Sequence, residues 1–216
     1  MDRDHFVATY PRLWHMAALG SWPLIERHGL LSTSALLDLF EVTGELRFKL
    51  ESCRRPESVL LEHPHYGQAL IRDQKPMNEK SLSRALDDMT PRDWYENLNR
   101  RVFFWLSERR LERMLGAGAY RAVEHTVLEI DTAQLVRLHA DELTLSPINS
   151  GATFPLRPAP RGRGTFRRFS DYPWGERLLT HSRELVVECA VDYHVPEVST
   201  MVTCVCTRKF ECRDSG

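Results

Sequence analysis

One histidine near the N-terminus stands in a pattern typical of a binding or catalytic group. His15 directly follows the aliphatic Leu13 and the aromatic Trp14, and it lies about one helix length before Gly-Leu-Leu-Ser-Thr, residues 29–33. An imidazole in such a place is a core side chain, a metal ligand or a group that holds a substrate hydroxyl. The rest of the chain has to separate these three alternatives.

The cysteines bear on the metal alternative. The chain has five, an odd number, which favours a reducing compartment over a disulfide framework. Cys204, Cys206 and Cys212 cluster near the C-terminus with His194 upstream, and thiolate and imidazole groups are the ligands of many zinc sites. The C-x2-C and H-x3-H spacings of zinc sites are absent, however. We therefore predict no metal, and thiols buried on a terminal strand.

Length and charge limit the class of protein. The 216 residues suit one domain, 1–216, and the net charge of −1 excludes nucleic-acid binding by bulk charge. No apolar run approaches the roughly 20 residues that span a bilayer, and the first residues lack the pattern of a secretory signal. We expect a cytoplasmic protein that does not bind membranes.

The elements that must position His15 alternate between helices and strands. "LWHMA" predicts a strand, and residues 22–28 predict a helix with Ser21 as N-cap and Gly29 as its stop. "SALLDLFEV", "PESVLLEHPHYG" and "ERRLERMLGAGAY" are interpreted as helical, and Ser81 and Thr90 as helix caps. The pattern predicts an α+β fold.

Strands are predicted mainly in the second half. "RVFFWLS" is typical of a central strand buried on both faces, with Phe103 and Trp105 on one face and Phe104 on the other. "HTVLEIDTAQLVRLH" predicts a strand to Ile130, a cap at Asp131 or Thr132, and a helix. "RELVVECAV" and "STMVTCVCT" predict a late strand pair linked by "VPEV".

A Pro-, Gly- and Arg-rich loop is predicted over residues 146–176. It carries cations and rings: Arg157, Arg161, Arg163, Arg167, Arg168, Phe166, Phe169, Tyr172 and Trp174. Arginines that follow phosphates and rings that stack on bases are typical of single-strand nucleic-acid binding. We take Arg163, Arg167, Arg168 and Trp174 as candidate acceptor-binding residues. A solvated lid without a partner is the alternative.

These motifs together resemble a known group of proteins. The order of "LWHMA", "WPLI", "GLLST", "RVFFW", "INSGA" and "RELVV" is similar to the ADP-ribosyltransferase fold, over about residues 10–198. The chain resembles an uncharacterised bacterial domain family, and more distantly the DarT-type DNA ADP-ribosyltransferases and the RNA 2'-phosphotransferases. The resemblance implies a split mixed β-sheet with flanking helices and a cleft that binds NAD as substrate.

The resemblance also implies roles for particular residues. His15 would hold a ribose hydroxyl, and Glu184 would be the catalytic carboxylate, with Glu188 on the same face of an extended strand as the alternative. The residues expected to bind NAD are His15, Met16, Ala17, Leu31, Ser32, Thr33, Arg72, Phe103, Phe104 and Asn149.

Each of these roles has a structural alternative. His15 is a core residue in that case, Ser32 and Thr33 cap a helix, Arg72 pairs with Asp73, and Glu184 is a surface carboxylate.

Three functions stay open. The first is transfer of ADP-ribose from NAD to nucleic acid or protein, as a toxin or defence effector that a neutralising antitoxin would control. The second is an RNA 2'-phosphotransferase-like reaction, and the third is a non-catalytic nucleotide-binding module. The catalytic arginine and extended NAD-binding loop of the DarT-type enzymes have no clear counterpart between residues 33 and 70. The R-S-E and H-Y-E sets of protein-modifying relatives are absent too, so the acceptor stays open.

Overall fold

A computed structural model describes residues 3–153, 157–175 and 185–211. Its helices are α1 (Arg3–Thr9), α2 (Trp22–His28), α3 (Thr33–Leu39), α4 (Gly44–Glu51), α5 (Glu79–Ala85), α6 (Pro91–Asn99), α7 (Glu108–Leu115) and α8 (Thr132–His139). Its first strands are β1 (Arg12–Ala18), β2 (Leu30–Leu31), β3 (Val59–His63), β4 (Gly67–Ile71) and β5 (Arg101–Phe104). The others are β6 (His125–Asp131), β7 (Leu143–Ser146), β8 (Arg167–Arg168), β9 (Glu188–Asp192), β10 (His194–Val195) and β11 (Val202–Arg208). The fold is α+β.

The described strands form four antiparallel sheets. One has three strands in the order β1-β6-β11, and another has four in the order β5-β9-β7-β8. The pairs β2–β10 and β3–β4 stand separately. We expected a mixed sheet, but every ladder between these strands is antiparallel.

The two larger sheets meet at one point. Trp14 and Trp105 exchange two backbone hydrogen bonds, Trp14 N to Trp105 O at 3.0 Å and Trp105 N to Trp14 O at 2.8 Å. Beyond this bridge β1 and β5 form no further ladder pair among the described residues. The strands therefore diverge just after Trp14, and His15 is the first β1 residue beyond the junction.

Local signals explain where several helices begin. Thr90 forms a capping box with Asp93 at the start of α6, and Pro91 occupies the first turn. Asp131 caps α8 by accepting a hydrogen bond from Gln134 N at 2.9 Å. These two predictions are confirmed. The prediction of Ser81 as a cap is wrong, because Asn78 caps α5 and accepts from the Ser81 amide.

Four predictions about the strands and their neighbourhoods need correction. The "PESVLLEH" stretch is not helical, since it contains β3, which pairs with β4 in a hairpin. β5 is an edge strand with alternating burial, not a central strand buried on both faces. β9 and β11 belong to different sheets and do not pair. The thiols of Cys204 and Cys206 on β11 are exposed, not buried, and Cys212 lies outside the described residues.

The main core lies between the two larger sheets and helices α1 and α8. Leu13, Phe104, Leu128 and Val191 are among its fully buried side chains. A smaller core lies under the β3–β4 hairpin and α3, and a third packs α5 against α6 and Phe166. No helix in residues 3–153, 157–175 and 185–211 has the length and apolar character needed to cross a bilayer.

Candidate functional site

A large cavity opens where β1 and β5 diverge. Its volume is about 1160 Å³, and its wall includes residues of β1, the α2–α3 connection, the end of β4, β5, residues 149–153 and Glu188. All ten residues expected to bind NAD line this one cavity: His15, Met16, Ala17, Leu31, Ser32, Thr33, Arg72, Phe103, Phe104 and Asn149. They come from five separate stretches of sequence, which the fold brings together.

His15 bridges the gap between the two diverging strands. Its Nδ1 lies 2.9 Å from Phe103 O, and because a carbonyl oxygen only accepts hydrogen bonds, Nδ1 carries the proton. Burial lowers the pKa of His15 to about 4, so the ring is neutral at pH 7. Nε2 is then an acceptor. A neutral imidazole fixed by a backbone carbonyl and lining a cavity is suited to accept a hydrogen bond from a ligand hydroxyl.

Ser32 and Thr33 line the cavity at the start of α3. Ser32 is buried and acts as the N-cap, because its Oγ accepts from Ala35 N at 3.2 Å. Its amide donates to Tyr193 O at 3.0 Å. The capping alternative therefore holds for Ser32, although the hydroxyl proton remains free to donate into the cavity.

Gly29 determines how this wall is closed. It ends α2 with φ at +78°, and a Cβ there would lie 2.6 Å from Val195 O. Only glycine combines this backbone conformation with so close an approach to β10. The "GLL" motif thus lets β2 pair with β10 beside the cavity.

Arg72 presents a cation to the cavity at the end of β4. Its Nη1 donates to Met16 O at 3.2 Å, and its guanidinium lies 4.4 Å from the centre of the Tyr120 ring. Its Nη2 has no hydrogen-bond partner within the described part of the chain. Asp73 instead accepts hydrogen bonds from the hydroxyl groups of Ser58 and Tyr120. These bonds, and not a pair between Arg72 and Asp73, hold this loop.

The rings of β5 differ in their surroundings. Phe104 is buried in the main core and lies at a steep angle to the His15 ring, with the ring centres 6.0 Å apart. Phe103 and Trp105 are half-buried on the opposite face, as the alternation predicts. Phe103 is therefore the better candidate for stacking on a ligand ring, and Phe104 is mainly a core residue.

Glu188 is a buried carboxylate in the cavity wall. It is 4% exposed at the start of β9, and its Oε2 accepts a hydrogen bond from Ser150 N at 3.0 Å. Burial raises the pKa of Glu188 to about 7, against the opposing effects of the Ser150 hydrogen bonds, Arg110 and Arg161. Glu184, the carboxylate expected to be catalytic, lies outside the described residues.

The cavity is richer in cations than in acids. Its described wall includes the arginines Arg55, Arg72, Arg101, Arg110 and Arg113, but only the acidic residues Asp73 and Glu188. Since His15 is neutral, this composition favours an anionic ligand. Sequence patterns did not identify most of these arginines, because they lie on separate elements and converge only in the folded chain.

A family model described as a family of unknown function, DUF7002, matches residues 11–202. The chain belongs to DUF7002. The matched segment includes every residue of the cavity wall, from His15 to Glu188. No curated protein and no solved structure matches the chain.

The candidate acceptor-binding residues of this DUF7002 chain lie away from the cavity. Arg163, Arg167 and Arg168 are exposed, and Arg168 and Trp174 line a second, smaller cavity of about 420 Å³. Trp174 is half-buried and donates through Nε1 to Phe169 O at 3.2 Å.

The other rings of the 146–176 loop are core residues. Phe166, Phe169 and Tyr172 are buried, so these side chains do not form an exposed stacking surface. The loop is also more regular than expected, since β8 pairs with β7.

The metal alternative for His15 requires further metal ligands close to the ring. Within residues 3–153, 157–175 and 185–211, no group of three or more His, Cys, Asp or Glu side chains is placed to hold an ion.

Proposed function

We propose that this protein is an NAD-dependent ADP-ribosyltransferase whose active site is the cavity between β1 and β5. One observation carries the proposal. A neutral imidazole, a buried carboxylate and an arginine with an unpartnered Nη2 line the same cavity, together with all the residues that the resemblance assigns to NAD.

The cavity has the capacity and charge that NAD requires. Its volume of about 1160 Å³ lies above the ~300–1,000 Å³ usual for small-molecule sites, which suits a dinucleotide. The pyrophosphate is anionic, and Nη2 of Arg72, which has no hydrogen-bond partner within the described residues, is suited to donate to a phosphate oxygen. Nε2 of His15 would accept a hydrogen bond from a ribose hydroxyl, and Phe103 would stack on the nicotinamide ring.

Glu188 supplies the negative charge that the reaction needs. Loss of nicotinamide from bound NAD leaves positive charge at the ribose carbon, as cleavage of a glycosidic bond does. A carboxylate fixed in a water-poor wall stabilises this charge more strongly than one in bulk water. The same carboxylate would accept a proton from the acceptor. Only the ionised form does either, so the rate should rise with pH through about 7.

Nicotinamide release from labelled NAD tests the proposal. Glu188→Gln should lower the rate by about 100-fold or more, because it removes the charge while keeping the shape of the side chain. NAD should still raise the Tm of this variant as it does that of the wild type. Glu184→Gln is the matched comparison. Loss of release in Glu184→Gln alone would move the catalytic role to Glu184, and loss in neither would overturn the mechanism.

The stability of Glu188→Gln distinguishes loss of function from loss of fold. In the wild type the unfolded state ionises Glu188 above about 4.5, but the folded state does so only above about 7. The contribution of this group to stability therefore falls as pH rises across that window. The variant lacks this penalty, so its Tm relative to the wild type should be higher at pH 8 than at pH 5.

The acceptor in our proposal is nucleic acid or protein. Toxicity on expression in a bacterial host that Glu188→Gln relieves would support a toxin or defence role. The cavity arginines also favour a second candidate, an RNA 2'-phosphotransferase-like reaction, which needs several cations around a phosphate. Transfer of the 2'-phosphate of an oligonucleotide to the ADP-ribose part of NAD, with release of nicotinamide and a free 2'-hydroxyl on the RNA, would identify it. A Tm increase with NAD but no product would identify a binding module.

A further inference from the structure

Arg161 is a buried arginine within the 146–176 loop, for which the sequence predicted nucleic-acid binding or a solvated lid. Only 3% of the surface of this residue is exposed. Its backbone is fixed to the end of α5, since Arg161 N donates to Ala85 O at 2.8 Å and Asp87 N donates to Arg161 O at 3.0 Å. Two backbone hydrogen bonds on either side of Leu86 thus set the position from which the side chain starts.

The guanidinium of Arg161 holds two carbonyl groups. Its Nε donates to Ala159 O at 3.1 Å, and its Nη1 donates to Ser150 O at 3.1 Å. The guanidinium also lies 5.6 Å from the centre of the Trp94 ring. Because the guanidinium is planar, the two hydrogen bonds fix the direction of the fork as well as its position. Arg161 therefore constrains the position of the Ser150 carbonyl group.

Ser150 passes this constraint to the cavity wall. Ser150 is 1% exposed. Its carbonyl accepts a hydrogen bond from Arg161, and its N–H donates to Glu188 Oε2 at 3.0 Å. A buried carboxylate needs such donors to remain ionised and oriented. The path from α5 to the carboxylate consists entirely of buried hydrogen-bonded groups.

We propose that Arg161 is a positioning residue for Glu188: by holding the Ser150 carbonyl, it aims the Ser150 N–H at the carboxylate and keeps that carboxylate at the cavity wall. The role of Glu188 in a reaction rests on the proposed function. The coupling between Arg161 and Glu188 does not, and it can be measured without NAD.

The experiment is an NMR titration of the Glu188 side-chain carboxyl carbon in the full chain, with the signal assigned by its loss in Glu188→Gln. The Ser150 amide signal is followed in parallel. The variants are Arg161→Met, Arg161→Lys and the control Arg54→Met. Arg54 also donates to a backbone carbonyl, Met77 O at 2.7 Å, but has no hydrogen bond to Ser150 or Glu188 within the described residues.

In Arg161→Met the Glu188 midpoint should rise by about half a pH unit or more, because a nearby cation and an oriented donor are both lost. The NMR signal of the Ser150 amide should no longer shift as Glu188 titrates. Arg161→Lys keeps the charge but not the fork, so the midpoint should move less while the amide response still weakens. Arg54→Met should match the wild type in both readouts.

An unchanged midpoint and an unchanged Ser150 response in Arg161→Met overturn the proposal. Should that variant not fold, Arg161→Lys decides in the same way: a weakened Ser150 response supports the coupling and a wild-type response refutes it. Nicotinamide release adds a separate arm, in which the pH midpoint of the rate should shift upward with Glu188. No release by the wild type refutes the proposed function, while the titration still decides the role of Arg161.

Discussion

At the scale of single residues, burial favours the neutral form of two titratable groups in the cavity wall, His15 and Glu188. It lowers the pKa of His15 to about 4 and raises the pKa of Glu188 to about 7. Leu13, Ala17 and Leu128 lie on the same face of the β1–β6 pair as His15 and are buried, which accounts for the desolvation of the ring. The wall therefore holds an acceptor nitrogen that stays uncharged over the physiological pH range.

The lowered pKa of His15 predicts sensitivity to acid. Between about 6.5 and 4 the unfolded state binds a proton that the folded state does not, so the free energy of unfolding falls as pH falls. His15→Asn should remove about 2 kcal/mol of the loss between pH 7 and 5. Urea unfolding at the two pH values measures this. The exposed His65 provides the control His65→Asn, and an equal reduction in both variants would contradict the prediction.

Some of these residues could be predicted from the sequence, and others could not. His15, Ser32 and Arg72 stand next to recognisable motifs, so the resemblance assigned them to the cavity they line. Ser150 and Arg161 carry no such signal, because their importance lies in hydrogen bonds between distant parts of the chain. Arg161 was grouped with exposed arginines for the same reason.

At the scale of elements, the short pair β2–β10 holds one wall of the cavity through unusual backbone conformations. Gly29 and Tyr193 both have positive φ, +78° and +63°. Tyr193 is a bulky residue for which this conformation is costly. Its carbonyl accepts from Ser32 N, its amide donates to Arg100 O, and its hydroxyl binds Asp38. These contacts hold the strained residue in place.

Gly29→Ala tests this wall. The new Cβ would meet Val195 O in addition to the cost of positive φ, so we expect a loss of about 2 kcal/mol or more in the free energy of unfolding. Gly20 has a similar φ of +79° with open space around it, so Gly20→Ala should cost only about 1 kcal/mol. Urea denaturation compares the two. Equal losses would show that the contact with β10 carries no energy.

Elements with local signals were predicted, and those that depend on distant partners were not. Thr90 and Asp131 cap their helices through side chains within three residues, a pattern visible in sequence. β3 was taken for a helix because a short apolar run has no decisive period. β9 and β11 look alike in sequence, yet their partners are β5 and β7 for the first and β6 for the second.

At the scale of the whole molecule, the cavity and the exposed arginines of the 146–176 loop are separate features. Arg163, Arg167 and Arg168 do not line the cavity, whose own cations are different arginines. The molecule therefore carries two separate sets of cations. The buried rings of the loop leave charge as its main means of binding.

Charge reversal tests whether these loop arginines bind nucleic acid. The double variant Arg167→Glu and Arg168→Glu should weaken binding of single-stranded oligonucleotides and reduce the salt dependence of the affinity. Both side chains are exposed, so stability should change by less than about 0.5 kcal/mol. Arg109→Glu with Arg121→Glu changes the net charge equally at other exposed positions. Equal weakening in this control would attribute binding to bulk charge.

Exposed cysteines on the edge strand β11 allow movements of the cavity walls to be measured. Cys204 and Cys206 are exposed there, whereas Cys189 is buried, and none of the three belongs to the cavity wall. A maleimide dye attached at Cys204, after replacement of the partly exposed Cys53 and of Cys206 and Cys212 by serine, would sit on the three-stranded sheet that carries His15. Paired with a second dye on the β3–β4 hairpin, it would report by energy transfer whether the walls approach each other when a dinucleotide is added.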